Sequence, residues 1–191
     1  MGRGSDETGA RAGRAAGAAR AGFLLRCGIV AAALAAGGWA VAAGASTPPA
    51  AVTVAVAAFD NDDTAGESAE RTAAHAARVD GFDELLGAAF GSTGPYRTVR
   101  IACPAGGCSA TTARPEALIA AARAAGARIL VYGGIHKMST LVQIGKIQAV
   151  DLSADRLLID RLFTFRGDTD AAFARAADFM ARQVDEAFAR P

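Results

Sequence analysis

The chain has 191 residues, 52% of them hydrophobic and 20% charged, with a formal net charge of +1. That apolar content is enough to bury the core of one ordinary domain, which excludes a chain disordered throughout. No stretch interleaves a basic stripe with aromatic residues, and this excludes a dedicated nucleic-acid surface.

Taken in order, the chain opens on Arg3, Arg11, Arg14, Arg20 and Arg26, followed by an Ala/Gly-rich apolar run from Cys27 to Ala45. A basic lead, an apolar run and the small-x-small exit Ala43-Gly44-Ala45 predict a secretory signal peptide over residues 1–45. A linker over 46–51 and a single domain over 52–191 follow. Removing residues 1–45 takes away five arginines and two acids, leaving 15 basic and 17 acidic residues and a net charge of −2. The predicted location is periplasmic or secreted. If the run is not cleaved, it becomes an inner-membrane anchor, its length being close to that of a spanning helix.

Ala51 to Phe59 is an apolar, β-branched run of the kind found in strands covered on both faces, and the polar stretch Asp60 to Gly66 reads as a loop. Glu67 to Phe90 carries helical periodicity in two pieces, broken near Asp80-Gly81. Tyr96 to Cys103 predicts a second strand. Cys103 and Cys108, the pair left after the leader, predict a disulfide closing the short CPAGGC loop. Pro115 opens a helix that ends at Gly126. Arg128 to Tyr132 is a buried strand, and Gly133-Gly134 supplies a bend or bulge.

Leu141 to Leu152 and Arg156 to Phe165 form a hairpin around Ser153-Ala154-Asp155. In its second strand Leu157, Ile159, Phe163 and Phe165 share a face that Arg161 interrupts, which predicts an edge. Gly167 to Asp170 caps a last helix with one apolar stripe, Phe173, Ala176, Ala177, Met180, Val184, Ala187 and Phe188. The fold class is therefore α/β: a two- or three-layer sandwich with a βαβαβ core, a following antiparallel hairpin and a carboxy-terminal amphipathic helix.

HKMSTL at 136–141 and LFTFRGDTD at 162–170 resemble a family of uncharacterised exported bacterial proteins defined only as a domain of unknown function. The order of elements is also similar to the amino-terminal domain of TolB and to CsgG. Neither resemblance implies a catalytic residue, and Asp168 stands where the family tends to have Asn.

Asp60-x-Asp62-x-Thr64 after a buried strand resembles the nucleophile motif of haloacid-dehalogenase-type phosphatases. On that alternative Asp60 attacks phosphorus, Asp62 is the acid/base, Lys137 and Ser139 assist, and Asp168 or Asp170 helps hold Mg²⁺. Against it, the later acidic loop follows an antiparallel hairpin, and the chain lacks the further βα units that would bring these groups together. A second alternative makes Asp60, Asp62 and Asp63 a cation or small-ligand site at the end of a strand. The competing structural reading has Asp60 to Asp63 in turns or capping the next helix, Asp168 capping the last one, His136 and Lys137 beside a bulge, and His75 solvated.

No cofactor is expected, because no Gly-rich phosphate loop, haem-attachment motif or nucleophile elbow occurs. The expectation is a non-catalytic accessory module whose partner is an envelope protein or a second copy, with membrane contact only through a retained leader.

Overall fold

The computed structural model describes residues 50–190; the predicted leader and residues 46–49 of the linker lie outside the described residues. The elements run β1 (Val52–Val56), β2 (Asp60–Asp63), α1 (Ala69–Asp80), α2 (Phe82–Thr93), β3 (Tyr96–Val99), α3 (Pro115–Ala124), β4 (Ile129–Lys137), β5 (Val142–Asp151), β6 (Arg156–Arg166) and α4 (Asp170–Ala189). One mixed sheet has the order β3-β1-β4-β5-β6, with β2 also on β4. β3, β1 and β4 are parallel, and the β4-β5-β6 meander is antiparallel. This is the predicted α/β class.

Alternation along β4 divides the core. Ile129, Val131 and Ile135 face α1, α2 and α4 in a cluster that includes Val79, Phe82, Leu86, Phe90, Phe173 and Met180. Leu130 and Tyr132 face the other way, against Leu118, Ile119 and Ala122 of α3. The molecule thus has three layers over β1 and β4 and two over β5 and β6. The stripe predicted on the last helix is the face α4 buries, Phe188 only partly.

Asp60 to Asp63, expected as a loop, forms β2. The backbone pairs with β4 whatever its side chains prefer, because Val56 pairs with Val131 and Asp60 with Gly134 in the same parallel direction. Three residues, Ala57 to Phe59, thus span the gap that two cross on β4. This one extra residue, the count of a β-bulge, reverses which side chains face the helices. Asp60 and Asp62 turn to the α3 side, and Asp63 turns toward the helices.

Other expectations are corrected too. Gly133-Gly134 makes no bulge: the β4–β5 register is unbroken through both, and the glycines admit the Lys146 carbonyl and Phe59 ring on one face and Asp60 on the other. His136 and Lys137 are regular ladder residues. The irregularity lies instead between Ala149 and Val150, where Leu158 is left without a register partner. It places Leu157 on the opposite face from Ile159, so Leu157 is exposed. β3 stops at Val99, short of Cys103. The Cys103–Cys108 disulfide is present. Ser68 caps α1 and Thr169 caps α4, so none of Asp60 to Asp63 and not Asp168 serves as a cap. His75 is fully buried rather than solvated. Among the described residues no helix is long and apolar enough to cross a membrane.

Candidate functional site

Lys137 ends β4 on the same face as Ile129, Val131 and Ile135, and its side chain is fully buried. An ammonium in that position is tolerated only if opposite charge and hydrogen bonds replace the water it has lost. Three acids do so. Glu67, just before the Ser68 cap, brings Oε2 to 2.5 Å from Nζ. Asp168, in the turn made by Gly167 (φ 92°) between β6 and α4, accepts from Nζ at 2.7 Å. Asp63, turned inward by the extra residue before β2, stands at 3.9 Å.

Asp168 is the hub of a wider network. Its Oδ1 lies 3.0 Å from His75 Nδ1 and accepts from Arg78 Nη1 at 3.2 Å, both from α1. Arg78 Nε donates to Asp170 at 2.9 Å, and Thr140 in the β4–β5 turn donates to Glu67. The network ties α1, the end of β4, the following turn and the start of α4 into one unit. Gln143, opposite Lys137 on β5, is fully buried beside it.

The electrostatics follow from the geometry. Burial pushes the Asp168 carboxyl up, but hydrogen bonds from Lys137 and His75 outweigh it and hold the group below the usual carboxylate range. Hydrogen bonds from Lys137 and Thr140 lower Glu67. For Lys137, burial pulls the value down, yet the bonds to Asp168 and Glu67 leave it above the ordinary ammonium value. All three groups are therefore charged at neutral pH. A lysine that acts as nucleophile or base needs the opposite shift.

The other acids of the predicted site stand elsewhere. Asp60 accepts from Thr111 of the disulfide-bearing connection, and Asp62 lies 3.5 Å from His136 Nδ1, whose Nε2 is 2.8 Å from Thr64 Oγ1. Asp60, Asp62, Thr111 and His136 line, with Lys146 and Leu162, an open cavity of about 370 Å³ on the sheet face that α3 leaves uncovered. Asp60 and Asp62 thus occupy one face of the sheet, and Lys137 and Asp168 meet on the other. Ser139 accepts from the Leu141 and Val142 amides and so shapes the turn. Among the described residues no three His, Cys, Asp or Glu side chains are grouped to hold a metal ion.

Sequence reasoning missed Glu67, His75 and Arg78 as members of one cluster. A signal did exist for Lys137: counting by twos from Ile129 puts it on the buried face, where a lone lysine requires acidic company.

TolB from Acinetobacter baumannii is similar in structure, with 15% identity over 73% of this chain and a TM-score of 0.47; the chain spans 28% of that protein's length. A PelC dodecamer from Paraburkholderia phytofirmans is 18% identical over 75% of this chain and 94% of its own, with a TM-score of 0.45. Lipoprotein GNA1162 from Neisseria meningitidis is 15% identical over 70% and 96%, with a TM-score of 0.42. No curated protein matches the chain. Residues 52–184, which contain both the HKMSTL and the LFTFRGDTD segments, match the family model DUF3280, described as "Protein of unknown function (DUF2380)", and the chain therefore belongs to that family of proteins of unknown function.

Proposed function

We propose that the domain is a non-catalytic interaction module of the cell envelope that works through the free edge of its sheet. The observation that carries this reading is β6: an edge strand of 11 residues, with no neighbour on its outer side among the described residues. Leu162 on this strand is 65% exposed, and Phe179 of α4, beside it, is 38% exposed. Unpaired backbone groups flanked by apolar side chains are the usual means by which a sheet takes on a further strand.

Two further features support the reading. The charged cluster pairs the Lys137 ammonium with its own acids and holds it protonated, which suits a fastening between elements better than a reaction centre. The Cys103–Cys108 disulfide suits an oxidising compartment, in keeping with export through residues 1–45. A phosphohydrolase needs Asp60, Asp62, Lys137 and Asp168 at one phosphate, and they stand on opposite faces of the sheet.

A photo-crosslinking amino acid at Leu162 in living cells tests the reading, with mass spectrometry of the adduct and of the chain's amino terminus. Expected are a discrete protein adduct and a start near Ser46. The absence of any adduct would overturn it, and so would turnover of a generic phosphomonoester by the purified protein with Mg²⁺.

A further inference from the structure

We propose that the β6 edge is built to pair antiparallel with the β6 edge of a second copy of this chain, about a two-fold axis at Phe163. The proposal rests on the interaction-module reading and names the partner.

The first step is which backbone groups point outward. The Gly167 amide donates to the Leu141 carbonyl at 3.0 Å across the hairpin, and the Met138 amide donates to Val142 O on the β4 side. Bonding alternates along an antiparallel pair, so Arg161, Phe163 and Phe165 direct their backbone groups to β5. Asp160, Leu162, Thr164 and Arg166 direct theirs to the free edge. The usable window is closed at one end by the register shift at Leu158 and at the other by Gly167, whose φ of 92° breaks the strand. Phe163 is the midpoint of Asp160 to Arg166.

The second step is charge. An antiparallel pairing centred on Phe163 sets Asp160 opposite Arg166 and Leu162 opposite Thr164, each twice by symmetry. Arg166 has no ion-pair partner among the described residues, and the Asp160 side chain remains 43% exposed beside Lys146. Centring one position away in the same hydrogen-bonding phase, on Leu162, places Asp160 opposite Thr164 and loses both ion pairs. Centring on Arg161 sets two guanidinium groups against each other. Charges on an edge strand ordinarily block pairing. Here opposite signs stand at equal distances from Phe163, so the same charges admit a copy of this strand in one register and disfavour others.

The third step is the apolar surface. On the helix side Phe163 lies 5.8 Å from Phe179 and 6.0 Å from Phe165, ring centre to ring centre. A second copy placed about this axis brings its own Phe163 beside them and covers the exposed side of Phe179. On the other side Leu162 meets the partner's Thr164 methyl group.

Sedimentation of the protein over a range of concentrations tests this, with melting curves as the control for folding. A dimer is expected. Asp160→Arg and Arg166→Asp should each weaken it roughly tenfold or more, because two attractive pairs become repulsive. The double variant should restore it. Thr164→Pro removes an outward amide and should give a monomer that melts near the unaltered protein. A wild-type monomer at every concentration, or a dimer indifferent to all four variants, would overturn the pairing. The Leu162 crosslink separates the two readings: an adduct of twice the chain mass supports self-pairing. An adduct only with another protein overturns self-pairing and leaves the module reading standing, and no adduct removes both.

Discussion

The Lys137 ammonium and the Asp168 carboxylate meet at 2.7 Å although 31 positions separate them, closing the end of β4 onto the loop that starts α4. Removing one partner of a mostly buried pair leaves the other charge without compensation, which costs about 3–5 kcal/mol. Lys137→Met should therefore lower the unfolding free energy by about 3 kcal/mol, read from urea titrations at neutral pH. Adding Glu67→Gln to that variant should return part of the loss, because the carboxylate that stood 2.5 Å from the ammonium is then neutral, whereas Asp168 keeps Arg78 and His75 as partners. A single variant within experimental error of the unaltered protein would show that the pair fastens nothing.

The same contacts fix the direction of the pH response. Asp168 and Glu67 both have folded-state values below their unfolded ones. Such groups contribute stability that is present above the unfolded value and is lost as pH falls through the folded one. Urea midpoints should be nearly flat between about pH 6 and 8 and should fall below about pH 4. In Asp168→Asn the acid limb should be shallower. Lys137 has the opposite sign: its folded value is raised, so its contribution is present at neutral pH and is lost only above about pH 10.5. Stability rising as pH drops from 5 to about 3 would contradict the assignment of charges.

How much of this was legible in the sequence depended on whether side chains or backbone decided the matter. The apolar stripe from Phe173 to Val184 and the buried run at Ile129 to Val131 specify α4 and β4 because burial of those side chains is what forms them. β2 was hidden for the opposite reason. Asp60 to Asp63 has loop composition, and its strand exists because β4 extends beyond β1 and offers unpaired backbone groups. The outward turn of Asp60 and Asp62 depends on one extra residue at Ala57 to Phe59, which no periodicity announces. His75 sits on an Ala-rich helix that gives no local hint of burial, and its partner Asp168 is 93 positions away.

Gly133 tests the unbroken passage of β4 beside β5. A Cβ there would overlap the Lys146 carbonyl oxygen and press on the Phe59 ring, and the carbonyl belongs to the neighbouring strand's ladder. Gly133→Ala should destabilise by about 3 kcal/mol or more, since backbone must shift where a side chain would only rotate. Gly91→Ala is the control: a Cβ there meets nothing within 4 Å, and the residue lies inside α2, so it should be neutral or mildly stabilising. Melting temperatures of the two variants measure the contrast, and equal values would mean that β4 yields at Gly133.

The disulfide should prove local. Cys103 and Cys108 are five positions apart, and a loop this short restricts the unfolded chain by about 2 kcal/mol at most. Its folded-state consequence lies at the bulge between β1 and β2, where the Ala58 amide donates to the Cys108 carbonyl at 3.1 Å and Thr111 donates to Asp60. Both elements of the main core beneath, Val54 and Val131, are held by the sheet and not by this loop. Reduction, or Cys103→Ser with Cys108→Ser, should lower stability by about 2 kcal/mol without changing the dependence on denaturant. Amide exchange should accelerate at Ala58 and stay slow at Val131. If reduction instead exposes Val131, the CPAGGC loop is holding the sheet together, and the extra residue before β2 depends on the bond for its place.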